Sequence, residues 1–365
     1  MSYYILPKNN NKIISDPTSD QHNECLPIIS FSIDNYYKKM YDQINLMCCQ
    51  SDDFSLNSFF ELIKIINPYE FIFSKVPGSK YSVSKLRPNS NIFYDFLEIL
   101  ITFNIFDLYK SQNINLLCIS SNYNDINECS EMLRENFNDT IFSFENFNGE
   151  IFNSLKERKM NFLFMDTFDS NLNNYLINFI QSVMIILKCS THNSSSIIKI
   201  HHTIYKPVLD LIYLLCSLFD KVYIMKPNSN NITSFEKYLV CKGFNYDESK
   251  NENYKINYYK LLVFLKKLNN KNIVSIINKD LPYYFLNKID DMNIIIGQQQ
   301  LESLDHIINI IKNKNKEDKI ETIKKLNIQK SVIWCEKYKI PCNKFTDKTN
   351  IFLPITTKEE KIQEA

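Results

Sequence analysis

Apolar and polar positions repeat along this chain with two different periods. Through residues 30–66 the apolar side chains recur at helical spacing. Tyr36, Tyr37, Met40, Tyr41 and Ile44 form one stripe, and Phe59, Phe60, Leu62, Ile63 and Ile66 form another. Pro77-Gly78 predicts a turn. From about residue 90 the pattern changes to helices alternating with short, wholly apolar runs. Ile92 to Phe106 predicts an apolar-faced helix. Asn115 to Ser120 predicts a strand buried on both faces, and Asn124 to Asn136 a helix. Strands follow at 140–144 and 161–165, the latter ending at Asp166, then a long helix over Asn173–Lys188. A strand over 195–200, a helix over Pro207–Phe219, a strand over 222–225 and a strand over 237–243 complete the series.

Strands alternating with helices at this spacing predict an α/β fold with a mainly parallel, doubly wound sheet. Only the polar stretch Lys226–Phe235 joins the last two strands. It is too short for a helical crossover, so the final strand should run antiparallel to its predecessor. Such a sheet resembles that of Rossmann-like methyltransferases. After Phe244 a polar linker leads to helical patterns over 258–268, 299–312 and 316–338, which predict a helical C-terminal extension. The expected organisation is an N-terminal arm and helical region over 1–88, with 1–25 loosely docked. The α/β domain spans 89–245, the helical extension 246–342 and a polar tail 343–365.

Composition narrows the function classes. The 365 residues are 44% hydrophobic and 23% charged, ordinary values for a folded chain. The formal net charge of +1 means that any contact with nucleic acid depends on local clustering of cations. Aromatic residues make up 13% of the chain, mostly in apolar stripes, so their number alone does not argue for base stacking. The 10 cysteines, several inside apolar runs, read as reduced thiols of a cytoplasmic protein. Cys335 and Cys342 have no second Cys pair or His to complete a zinc site, so no metal is expected. No apolar run reaches the ~18–20 residues of a membrane span. A P-loop and a Gly-x-Ser-x-Gly nucleophile elbow are both absent.

Ligands of such sheets bind outside the carboxyl ends of the parallel strands. Asp166 follows one strand and Lys199 ends another. Glu236 opens the antiparallel strand, whose beginning lies at the same edge. Topology therefore predicts an Asp166–Lys199–Glu236 cluster on one rim. Such a cluster suits deprotonation of a hydroxyl by a desolvated lysine oriented by carboxylates.

The stretches Ser195-Ser-Ile-Ile-Lys199, Leu215-Cys-Ser-Leu-Phe219, Val222-Tyr-Ile-Met-Lys226-Pro227-Asn-Ser229 and Ser234-Phe-Glu236-Lys-Tyr238 resemble the C-terminal half of FtsJ-like RNA ribose 2′-O-methyltransferases. They are most similar to the cap-methylating and large DNA virus branches of that family. The resemblance covers residues 90–245 and is specific across 195–244. It implies S-adenosyl-L-methionine as cofactor, no metal, and RNA, including capped mRNA, as substrate. Asp166, Lys199 and Glu236 match the last three members of the family's Lys–Asp–Lys–Glu tetrad. The first position falls on Asp95, with Lys85 as the alternative. Cys118, Ser120, Ser121, Asn122, Tyr123 and Asp166 would line the donor site. Lys226, Ser229, Asn231 and His201 would face RNA. The sequence departs from the family in three ways. The donor loop has no glycine between Gly78 and Gly149, Asp95 stands where a Lys is expected, and Asn230-Asn231 replace an Arg. These departures carry the alternative reading, a methyltransferase fold without activity that stimulates or scaffolds a capping or RNA-processing complex with a protein partner.

Overall fold

The computed structural model describes residues 2–21, 25–50, 56–74, 76, 79, 82–155, 158–245, 251–269, 271–312 and 316–343. The turn expected at Pro77-Gly78, the start of the linker after Phe244 and nearly all of the polar tail lie outside them. Chain order runs β1 (Ser2–Ile5), β2 (Thr18–Asp20), α1 (Phe31–Gln50), α2 (Leu56–Ile66), α3 (Ile92–Thr102), β3 (Asn115–Ile119), α4 (Tyr123–Leu133), β4 (Thr140–Phe144), α5 (Gly149–Ser154) and β5 (Met160–Asp166). It continues with α6 (Leu172–Cys189), β6 (Ser190–Ile200), α7 (Lys206–Leu218), β7 (Phe219–Lys226), β8 (Lys237–Phe244), α8 (Asn251–Lys267), β9 (Asn272–Ser275), α9 (Tyr283–Lys312) and α10 (Lys316–Lys337).

Seven strands form the main sheet in the order β1-β7-β8-β6-β5-β3-β4. Strands β4, β3, β5 and β6 pair in parallel. Strand β8 is antiparallel to both β6 and β7, as the short connection at 226–235 requires. This is a Rossmann-like methyltransferase sheet with an antiparallel strand set between the last two parallel ones.

The apolar runs are buried on both faces because their alternate residues enter two different cores. Leu117, Leu163 and Ile198 face the side covered by α6 and α7. Leu116, Phe162, Phe164 and Ile197 face the side covered by α3 and α4. The second core also takes Ile44 and Phe59 from the N-terminal helices and Leu304 and Trp334 from the C-terminal ones. Segments at both ends of the chain thus build the same wall of the sheet.

Two elements differ from the sequence reading. The N-terminal arm is not loosely docked. Ser2–Ile5 pairs antiparallel with β7, from Ser2 against Lys226 to Ile5 against Tyr223, and Leu6 is buried beyond it. The edge of β7 offers unpaired backbone groups, and the run Tyr3-Tyr4-Ile5 suits a pleated surface, so the arm closes that edge. The C-terminal extension is also not wholly helical. β9 (Asn-Ile-Val-Ser) pairs with β2, and α9 begins at Tyr283, well before the expected 299. A four-residue strand pairing across more than 250 positions leaves no periodicity to read locally. No described helix is long and apolar enough to cross a membrane.

Candidate active site

The rim cluster follows from strand register. Asp166, last residue of β5, lies directly beside Lys199 of β6, and Lys199 lies beside Tyr238 of β8. Glu236 immediately precedes β8. Lys199 Nζ reaches Asp166 Oδ2 at 3.4 Å and Glu236 Oε1 at 3.0 Å. Burial pulls the Lys199 ammonium toward neutrality, but Asp166, Glu236 and Asp95 outweigh it and leave its pKa raised. Burial also raises the Asp166 carboxyl, and the Lys199 charge, shared with Glu236, offsets this only in part. For Glu236 the balance is reversed. Burial alone would raise it, yet Lys199 and the Asn230 amide hold it below its ordinary value.

Behind Glu236 stands a second carboxylate. Asp95, on the buried face of α3, receives Ser229 Oγ at 2.6 Å, Asn230 Nδ2 at 2.8 Å and the Tyr238 hydroxyl at 3.0 Å. Burial pushes it up to about 6 despite these donors. The same Asn230 Nδ2 donates to Glu236 Oε2 at 2.9 Å, so one amide ties both carboxylates together. Its Oδ1 accepts from Lys226 Nζ at 3.1 Å and Ser234 Oγ at 3.0 Å. Of the two residues expected at the tetrad's first position, Asp95 thus lies beside the cluster, joined to Glu236 through Asn230, and Lys85 is exposed, its backbone amide donating to Pro341 O at 2.8 Å.

The loop between β7 and β8 is held from outside the sheet. Glu98 on α3 accepts from the backbone amides of Asn228 and Ser229 and from Trp334 Nε1 of α10 at 2.9 Å. Gln300 of α9 donates to Ser234 O at 2.7 Å, and the Tyr37 hydroxyl of α1 to Thr233 O at 3.0 Å. These contacts correct two expectations about RNA. Lys226 is not a free phosphate contact. Its ammonium is spent on Ser234 O, Ser234 Oγ, Glu236 O and Asn230, and burial lowers its pKa to about 8. Ser229 is buried and donates inward to Asp95. Asn231 remains exposed, with its Oδ1 accepting from the Thr233 amide and hydroxyl. His201 lies on the rim, its Nε2 4.0 Å from Glu236 Oε1, and burial lowers its pKa to about 3, so it stays neutral.

The turn from β3 into α4 is the donor loop of the sequence reading. Cys118 is corrected out of it. Its side chain is fully buried in the core beneath α3 and α4, and burial raises its thiol. Ser120 is buried, with Oγ accepting the Asn122 amide at 3.1 Å. Ser121 is exposed, Asn122 is half-buried, and Tyr123 is half-buried against the same core. Asn122 has φ −105°, and no residue of this turn takes positive φ. The turn is therefore made from ordinary conformations and needs no glycine for its backbone.

Asn230, Tyr238 and Phe168 were missed by the sequence reading. Tyr238 could have been found, since it lies on β8 directly beside Lys199 of the neighbouring strand. Asn230 was noted only as replacing an Arg, because its role comes from a loop whose shape is set by α3, α9 and α10. No group of residues fit to hold a metal ion occurs among the described residues.

No protein-family profile matches the chain, and no curated protein sequence matches it. Solved structures do. A protein described as a ribosomal RNA methyltransferase, from Plasmodium falciparum, superposes with TM-score 0.33 at 15% identity, covering 42% of this chain and 97% of that one. Human methyltransferase-like protein 13 in complex with SAH gives 0.28 at 11%, over 47% and 93%. A protein described as an O-methyltransferase, from Nostoc punctiforme, gives 0.27 at 10%, over 53% and 74%. Likeness at this level concerns the fold alone.

Proposed function

We propose that the chain is an S-adenosyl-L-methionine-dependent methyltransferase acting on a ribose 2′-hydroxyl of RNA, including the cap-proximal nucleotides of mRNA. One observation carries this reading: Lys199 is held between Asp166 and Glu236 at the carboxyl edge of a methyltransferase sheet. Ser120, Ser121, Asn122 and Tyr123 would hold the donor together with Asp166. They fit that task because the turn needs no glycine for its conformation and Ser121 stands open to solvent. The bound donor supplies an electrophilic methyl group on a sulfonium. Lys199, once deprotonated, takes the proton from the 2′-oxygen. Glu236 fixes the direction of its Nζ. Asp166 accepts the Phe168 amide on Oδ1 and Lys199 on Oδ2, and its negative charge would stabilise the positive methyl group as it develops.

A second reading is favoured by Asp95. Three carboxylates around one lysine stabilise the ammonium that catalysis must deprotonate. A chain that had given up transfer and served as the partner-binding subunit of an RNA-processing complex would tolerate that charge balance. Calorimetric titration of the full chain with S-adenosyl-L-methionine and S-adenosylhomocysteine separates the two, with Lys199→Ala as a folded control. Micromolar binding supports the enzyme. No binding by folded protein rejects it in favour of the subunit.

A further inference from the structure

Phe168 stands apart from the polar rim around it. It lies two residues beyond Asp166 and is 55% exposed, a large apolar side chain beside a charged cluster. Part of its ring is covered by the imidazole of His201, with centroids 4.4 Å apart and planes at 31°. The imidazole is itself braced. The buried Tyr175 meets it edge-on at 6.2 Å and 80°, and the Tyr175 hydroxyl accepts the His201 backbone amide at 3.3 Å. The Phe168 amide donates to Asp166 Oδ1 at 3.1 Å, while Asp166 Oδ2 receives Lys199. A flat aromatic surface is thus fixed to the carboxylate that adjoins the proposed base. His201 is neutral, so the surface carries no charge of its own. Its Nε2 has no hydrogen-bond partner among the described residues and lies on the side of Glu236.

We propose that Phe168, backed by His201, is a stacking platform for the base of the nucleotide whose ribose meets Lys199. This rests on the ribose-methylation reading and adds to it where the acceptor base sits and how it is held. An uncharged ring has no hydrogen-bonding edge with which to select a base, and every base has a π-face, so the hold is independent of sequence. The base is linked to the reacting ribose through one bond, so fixing its plane fixes the direction of approach of the 2′-oxygen.

The test is fluorescence anisotropy with a dye-labelled ribo-oligonucleotide, using the full chain and Phe168→Ala, Phe168→Leu and Phe168→Trp. Loss of base–aromatic stacking weakens binding about 5- to 150-fold. That loss is expected for both Ala and Leu, with recovery in Phe168→Trp. The Phe168→Trp protein also gives a direct signal. The chain's other tryptophan, Trp334, is buried against Glu98, so a change in emission reports on position 168. Quenching by the oligonucleotide, and none by an abasic ribose-phosphate oligomer of equal length, supports the platform. RNA binding at wild-type strength by Phe168→Leu, or binding without quenching of Phe168→Trp, overturns the platform and leaves the RNA reading intact. No RNA binding by the wild-type chain overturns both.

Discussion

Asn230 uses every hydrogen-bonding valence of its amide. Both Nδ2 protons go to carboxylates, Asp95 and Glu236, and Oδ1 accepts from Lys226 and Ser234. Replacing it with Ala leaves the buried Asp95 and the half-buried Glu236 short of a donor, at a cost of about 1–3 kcal/mol for Asp95 and less for Glu236, which water can reach. A lowered urea midpoint and a fall in transfer rate are both expected for Asn230→Ala. Asp95 adds a pH dependence with a definite sign. Its folded pKa of about 6 lies above the ordinary carboxyl value of 3.8, so its protonated form is the one favoured by folding. That contribution is complete below the unfolded value and is lost as pH rises through about 6. Asp95→Asn should therefore gain stability relative to wild type between pH 4 and 7, which urea unfolding at the two pH values would show. The same substitution removes one of the carboxylates that raise Lys199. The pH–rate profile of wild type should climb into the alkaline range, and that of Asp95→Asn should shift to lower pH. An unshifted profile would show that Lys199 is not the titrating base.

At the scale of elements, the C-terminal helices act on the site rather than merely covering the sheet. Trp334 of α10 bonds Glu98, which grips the amides of the loop carrying Ser229 and Asn230. Trp334→Phe keeps the ring and removes that bond. About 1 kcal/mol of stability should be lost, with a larger proportional loss of transfer than of donor binding. Helix α9 crosses α1 at Gly297, where an added Cβ would stand 2.2 Å from Ile33 Cγ2. Gly297→Ala should cost about 1–3 kcal/mol through overpacking, measured by thermal unfolding, and Ile33→Ala in the same chain should restore much of it. The parallel strands were legible in sequence because each is a short apolar run bounded by polar residues. The proximity of Asp166, Lys199 and Glu236 followed from where those runs stop. β1, β2 and β9 were not legible, since short edge strands owe their form to partners distant in sequence. The Lys226 and Ser229 expectations failed for a related reason: a loop between two strands reads as open until the helices that pack over it are known.

For the whole molecule, a net charge of +1 gives no general attraction to RNA. On the proposed reading, affinity for RNA would come from local contacts rather than from net charge, and its salt dependence should be shallow. The two apolar faces of the sheet, with both ends of the chain contributing to the α3 side, predict that removing residues 282–343 unfolds the protein rather than releasing a smaller active domain. The charge balance of the rim, three carboxylates to one rim lysine, is a property of the assembled site and could not be read from any single motif. The most direct test of the account is nucleoside mass spectrometry of capped and uncapped RNA incubated with the full chain and S-adenosyl-L-methionine. Wild type should form 2′-O-methylated nucleosides, with a yield that falls about 100- to 10,000-fold in Lys199→Ala. Product formed equally by Lys199→Ala, or methylation found only on a base, would contradict it.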